Sequence, residues 1–130
     1  MAFGCHLTLD CYKCNKQKID DLNSIYDFLN NMPKEIGMNK ISRPFMIRYE
    51  GGGWDKGGIC GFVFIAESHI SIHTFPAHDY FTVDVYSCNE FDAQKAAKKI
   101  AAYFEAKIIE KKVTVRGINL NKEAVIEQTE

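Results

Sequence analysis

Tyr80-Phe81-Thr82-Val83-Asp84-Val85-Tyr86-Ser87-Cys88 alternates along its length, with Phe81, Val83 and Val85 on one side of an extended chain and Thr82, Asp84, Tyr86 and Cys88 on the other. The preceding segment behaves alike: Ile70 and Ile72 oppose His69, Ser71 and His73. Ile59 to Ala66 is a third β-rich run, and the short breaks between the three predict antiparallel hairpins. Upstream, Gly51-Gly52-Gly53-Trp54-Asp55-Lys56-Gly57-Gly58 holds five glycines in eight positions and marks a mobile loop. Before it, His6 to Tyr12 reads as a strand and Ile41 to Tyr49 as another. Between these, Ile19, Leu22, Ile25, Tyr26 and Leu29 recur at helical spacing and stop before Pro33. Downstream, Asp92 caps a second helix with the stripe Ala93, Ala96, Ala97, Ile100, Ala101 and Phe104, and Lys107 to Val115 returns as a final strand. The order is β-α-β, three β, α-β. It predicts an α+β fold: a two-layer α/β sandwich, mostly antiparallel, with two helices on one sheet face. The other face then collects His, Ser, Asp, Tyr and Cys, as a polar site, a subunit interface, or both.

With 130 residues, 46% hydrophobic and 25% charged, the chain reads as a single domain, 1–130, whose core is large enough to do without disulfides or structural metal. Sixteen Lys and Arg against 17 Asp and Glu leave a net charge of −1 and no basic stripe, which argues against nucleic acid as a partner. Its longest apolar run, Ile59 to Ala66, is far short of a bilayer span, so no membrane partner is expected. Met1 to His6 carries no basic stretch followed by an apolar one, which predicts a cytoplasmic chain. Five cysteines, Cys5, Cys11, Cys14, Cys60 and Cys88, then read as thiols. Cys11-Tyr12-Lys13-Cys14 has a metal-ligand spacing, but no second half-site follows, and no metal is expected.

The densest chemical stretch is Glu67-Ser68-His69-Ile70-Ser71-Ile72-His73-Thr74, with Cys88 one strand later. Singly, each residue has an ordinary structural reading: a strand serine, a satisfied histidine, a small thiol filling space. Together they supply a nucleophile, a base and a proton donor on adjacent strands.

These residues resemble the short prokaryotic S-adenosylmethionine decarboxylases, pyruvoyl enzymes made by self-cleavage. The resemblance covers most of the chain: Gly4, His6-Leu7 and Cys14, then Gly61 and the strand to Glu67, Glu67 to Pro76, and Asp84 to Cys88. Ser68, His73 and Cys88 stand at the spacing of the family's cleavage serine, processing histidine and catalytic cysteine. The resemblance implies cleavage between Glu67 and Ser68 into chains 1–67 and 68–130, after attack of Ser68 Oγ on the Glu67 carbonyl and β-elimination. It implies that Ser68 becomes a pyruvoyl group, the only cofactor, which forms a Schiff base with the substrate amine. His73 would move protons during processing, and Cys88 would return a proton to the carbanion. Alternation puts Ser68 and His73 on opposite faces, but a serine in a hairpin turn is not bound by alternation.

Two positions depart from the family pattern. Cys60 stands where a small hydroxyl residue assists processing, and a thiol accepts only weakly. Ala77 stands where a glutamate would bind the ribose hydroxyls of S-adenosylmethionine. Trp54 and Phe75 fall where aromatic rings could hold adenine or sulfonium, and Trp54 reads equally as a loop anchor. The implied function is decarboxylation of S-adenosylmethionine for polyamine (spermidine) biosynthesis. Loss of the glutamate at Ala77 keeps open decarboxylation of arginine or ornithine, with Asp79 or Asp84 meeting a cationic side chain. A non-cleaving paralogue that binds a partner enzyme is a further alternative. Sheet-to-sheet pairing in a symmetric homodimer would cover the open face.

Overall fold

A computed structural model of the chain describes residues 4–120. Residues 1–3 of the N-terminal reading, and 121–130 of the second expected fragment, lie outside the described residues. Strand β1 (Gly4–Tyr12) leads into helices α1 (Lys16–Ile19) and α2 (Leu22–Glu35), followed by strands β2 (Asn39–Lys40) and β3 (Phe45–Tyr49). Strands β4 (Gly58–Ala66), β5 (Ser68–Phe75) and β6 (Tyr80–Ser87) follow, with a 3-10 turn at Pro76–His78 between the last two. Helix α3 (Ala93–Tyr103) and strand β7 (Ile108–Arg116) complete the described fold. The sheet order is β2-β4-β5-β6-β1-β7, and β3 pairs with β4 beside β2. Every pairing is antiparallel.

The expected alternation holds. Ile70, Ile72, Phe81, Val83, Val85, Leu7, Leu9 and Cys11 are buried beneath the helices. Ile25, Phe28, Leu29 and Met32 of α2 meet them from above, as do Ala96, Ala97 and Ile100 of α3. Phe104 lies 4.8 Å from Phe81 and 5.0 Å from Phe28, ring centre to ring centre, and ties both helices to the sheet. Each fully buried side chain of this size contributes roughly 1.5–3 kcal/mol. Gly61 sets how closely α2 approaches, since a Cβ there would lie 2.9 Å from Leu29 Cδ1.

Three details differ from the sequence reading. Helix α2 passes through Pro33 and ends at Glu35. A proline in the last turn removes one hydrogen bond, and its ring is buried there. Lys16–Ile19 is a separate helix, capped by Asn15, because Asp21 caps α2 independently. Four residues are too few to show a helical period. Finally, Ile41 to Tyr49 is not one strand: the chain pairs at Asn39–Lys40, breaks over Ser42 to Pro44, and resumes at Phe45. Pro44 cannot donate to a ladder, and Ser42 Oγ accepts the Phe64 N–H at the gap.

Strand β7, at the edge of the sheet, is exposed along its full length. No helix among the described residues is long and apolar enough to cross a membrane.

Candidate active site

Ser68 opens β5 directly after a two-residue turn, Ala66–Glu67, set by the pairing of Ile65 with Ser68. Its φ is +130°, a conformation that L residues rarely adopt and that stores on the order of 1–3 kcal/mol of strain. Backbone direction at the turn, and not strand alternation, therefore aims its side chain: Ser68 Oγ lies 3.4 Å from Cys88 Sγ. Immediately after β6, the Cys88 N–H donates to the Glu67 carbonyl oxygen at 3.2 Å. Asn89 Nδ2 donates to the Ala66 carbonyl at 3.4 Å, while the Asn89 N–H is held by Ser87 Oγ at 3.0 Å. Residues 87–89 thus grip both carbonyls of the turn that precedes Ser68.

On the open face the side chains form rows across the strands. His69, Tyr86 and His6 share the row next to Ser68. Burial holds the His69 imidazole below its ordinary pKa, His6 and Arg116 push it the same way, and Asp84 opposes them. His69 is therefore neutral at neutral pH. His6 Nε2 is buried without a hydrogen bond, with Asp84 Oδ1 3.5 Å away. Asp84 lies one row further along, between Ser71 and Thr8.

His73 stands away from this centre. It is exposed and pairs in register with Cys60 and Thr82, five positions along β5 from Ser68. At the rise of a strand that is roughly 16 Å. Cys60, whose thiol pKa burial raises, accompanies His73 and not Ser68. One chain therefore brings together Ser68 with Cys88, and His73 with Cys60, at separate places on its sheet.

Trp54 and Phe75 do meet. Their rings stack at 5.8 Å and 20°, and the stack continues through Tyr80 at 5.5 Å to Tyr12 at 4.9 Å. This end of the sheet lies seven positions from Ser68, roughly 23 Å along β5. Asp55 ties the glycine loop together by accepting the N–H groups of Gly52 and Gly57, and His78 Nε2 bonds the Trp54 carbonyl. Ala77 lines a cavity of about 380 Å³ with Asp20, Arg48, Glu50 and Lys56. Asp79 is already engaged by the Cys14 N–H at 3.1 Å and its thiol at 3.4 Å. Burial first, with Asp79 adding, pushes the Cys14 thiol up to about 12, and burial does the same to Cys11. Such thiols stay protonated and unreactive at neutral pH.

The residues that sequence reasoning missed are Asn89, the Cys88 backbone N–H and Arg116, whose guanidinium lies 4.5 Å from the Tyr86 ring centre. Period-two counting along β7 would have placed Arg116 on a face. Nothing in the sequence signals the other two.

A profile of the S-adenosylmethionine decarboxylase family matches residues 5–117. The chain is 35% identical over 125 residues to an S-adenosylmethionine decarboxylase proenzyme of Persephonella marina, covering 95% of this chain and 90% of that protein. A proenzyme of the same description from Aquifex aeolicus is 38% identical over 118 residues, covering 90% of this chain and 83% of that one. The crystal structure of the Aquifex aeolicus adenosylmethionine decarboxylase superposes with a TM-score of 0.77 at 35% identity, covering 93% of this chain and 95% of that one. Fold and site define an α+β enzyme with a hydroxyl and a thiol meeting at a hairpin turn. The chain belongs to the S-adenosylmethionine decarboxylase family.

Proposed function

We propose that the chain cleaves itself between Glu67 and Ser68, and that the new chain beginning at residue 68 acts as a pyruvoyl-dependent decarboxylase of S-adenosylmethionine, in polyamine synthesis. The observation that carries this reading is the convergence on one peptide bond of Ser68 Oγ, Cys88 Sγ and the Cys88 N–H. Ser68 Oγ attacks the Glu67 carbonyl carbon, and the carbonyl electron pair moves onto the oxygen that the Cys88 N–H already holds. Collapse expels the Ser68 nitrogen, which takes up a proton and leaves Glu67 esterified to Oγ. Loss of the Ser68 Cα proton then releases the Glu67 carboxylate, and water replaces the nitrogen of the resulting enamine, with loss of ammonia. The pyruvoyl carbonyl so made supplies an electrophile for a substrate amine and an electron sink when carbon dioxide leaves. Cys88 Sγ, 3.4 Å from Ser68 Oγ, returns a proton to the substrate carbon in this scheme.

His73 cannot serve Ser68 of its own chain across roughly 16 Å, since a base works at hydrogen-bond distance. It serves in this scheme from a second copy. The open face carries exposed Phe45, Ile47 and Phe64 beside its polar rows, a surface suited to burial against itself. A two-fold axis through the middle of the face lays the His73–Cys60 end of one protomer over the Ser68–Cys88 end of the other. The same operation carries the Trp54–Phe75 stack to the reactive end, where its exposed aromatic face suits adenine and sulfonium. Asp84 would contact the substrate from the intervening row. Five cysteines that form no disulfide accord with a reducing, cytoplasmic setting.

One observation favours a second substrate class. Ala77 borders a cavity lined with charged side chains where a ribose-binding carboxylate would stand, which leaves arginine or ornithine as the alternative. Of its two candidate partners, Asp79 is engaged by Cys14, leaving Asp84. Intact mass is the test. Wild type should give fragments 1–67 and 68–130, and Ser68→Ala only the full chain. Carbon dioxide release from S-adenosylmethionine, arginine and ornithine then selects the substrate. A wild-type chain that stays whole after prolonged incubation would leave the non-cleaving paralogue.

A further inference from the structure

All the substrates considered above are α-amino acids, so a site that receives their amine at residue 68 must also receive an α-carboxylate. We infer that Arg116 is the residue that binds it, an assignment that rests on the decarboxylase reading. Arg116 ends β7 and pairs in register with Gly4 of β1, on the open face. Gly4 has no side chain to block the way. A Cβ there would lie 2.9 Å from Ser87 O, 3.3 Å from Tyr86 Cε1 and 3.6 Å from Cys88 Cα, so a glycine at this point lets the Tyr86 ring lean over β1 beside the thiol residue. The guanidinium of Arg116 meets that ring, 4.5 Å from its centre.

Arg116 is three strands from Ser68, roughly 14 Å at 4.8 Å per strand. The Tyr86 ring leans back over Gly4 to meet the guanidinium, and the place of a Gly4 Cβ lies 3.6 Å from Cys88 Cα, whose thiol is 3.4 Å from Ser68 Oγ. A carboxylate attached to the carbon next to an amine bound at residue 68 would face this cation from beside Cys88. Contact with Tyr86 holds the guanidinium plane in place, and a planar fork of donors matches a carboxylate bidentately. Among the described residues no carboxylate forms an ion pair with Arg116. The imidazole on the other side of Tyr86, His69, is neutral and does not compete for the anion. Lys112, the next open-face cation on β7, stands four positions away beside Thr8.

A contact made to the carboxylate before it leaves belongs to binding, so its loss appears in KM and not in kcat. The experiment uses cleaved wild-type, Arg116→Gln and Arg116→Lys proteins, whichever of the three amino acids is turned over, and the methyl ester of that substrate as a competitive inhibitor. Arg116→Gln should raise KM about tenfold to a hundredfold, the range for a lost charged hydrogen bond, with kcat held within about twofold. The ester lacks the carboxylate charge, and its Ki should not change. Arg116→Lys keeps the charge but not the fork and should raise KM by an intermediate factor, which keeps the test decisive if the glutamine variant does not fold. Unchanged KM in the lysine variant, or equal weakening of substrate and ester, would overturn the assignment. Intact mass of the wild type separates the two levels of argument. An uncleaved wild-type chain removes the decarboxylase reading and this one together, whereas cleavage with Arg116-independent affinity removes this one alone.

Discussion

If His73 acts across a dimer, two defective chains should rescue each other. His73→Ala retains Ser68 and lacks the base, while Ser68→Ala retains the base and has nothing to cleave. Within one chain the two residues are five register positions apart, roughly 16 Å, against the ~3 Å that proton transfer requires. No rotamer of a histidine spans that gap. Loss of a general base costs on the order of 10²–10⁴ in rate, so His73→Ala alone should remain essentially whole over a period that completes wild-type processing. Co-expressed in equal amounts and pairing at random, half of the His73→Ala chains sit opposite a Ser68→Ala partner. About half of them should then cleave, a share set by two-fold pairing alone. Intact-mass spectrometry distinguishes the chains by their substitutions and reads the fraction directly. Cleavage of His73→Ala by itself at the wild-type rate would refute the assigned role, and a co-expressed mixture no better cleaved than the single variant would refute the arrangement.

Cys88→Ala should still self-cleave, because the group on the Glu67 carbonyl is a backbone N–H, yet lose about 10²–10⁴ in turnover as the proton donor disappears; fragment yield and carbon dioxide release read the two effects separately. Asn89→Asp is isosteric but presents an oxygen to the Ala66 carbonyl, and should slow cleavage about three- to tenfold in a single-turnover assay, while Asn89→Gln recovers part of the rate. Ala77→Glu should lower KM for S-adenosylmethionine by restoring an acceptor for ribose hydroxyls, and a rise would favour the diamino acids. His69 is depressed in the fold, so below its unfolded pKa of about 6.5 the unfolded chain binds more protons. Its contribution to stability is therefore complete above that pH and is lost as pH falls through the folded value. Melting temperatures between pH 7.5 and 5 should fall more steeply for wild type than for His69→Asn.

Period-two alternation in β5 and β6 was enough to reveal the two-layer fold, because each strand has one face under helices and one without. Helix α1 and the break at Ser42 to Pro44 escaped notice because their causes are local, a capping asparagine and a missing N–H. The site divides the same way. Ser68 and Cys88 could be paired from spacing, yet the direction of Ser68 depends on a turn whose φ no pattern reveals. The separation of His73 from Ser68 could have been counted along the strand from sequence alone. Asn89 remained hidden because its contact is to a backbone carbonyl on another strand, and such contacts leave no trace in residue periodicity.

The chain contains a single tryptophan, Trp54, a residue 68% exposed whose ring stacks on Phe75 at the end of the sheet. That makes the protein its own fluorescent reporter. A stack that is open to water emits as a solvated indole, and anything that covers it, whether a nucleoside sliding against the ring or a neighbouring sheet closing over it, moves the emission to shorter wavelength. Ligand titration at fixed protein concentration and dilution without ligand separate the two causes. The covering of this stack can thus be followed in the unlabelled protein, in real time, and in a variant that cannot turn anything over.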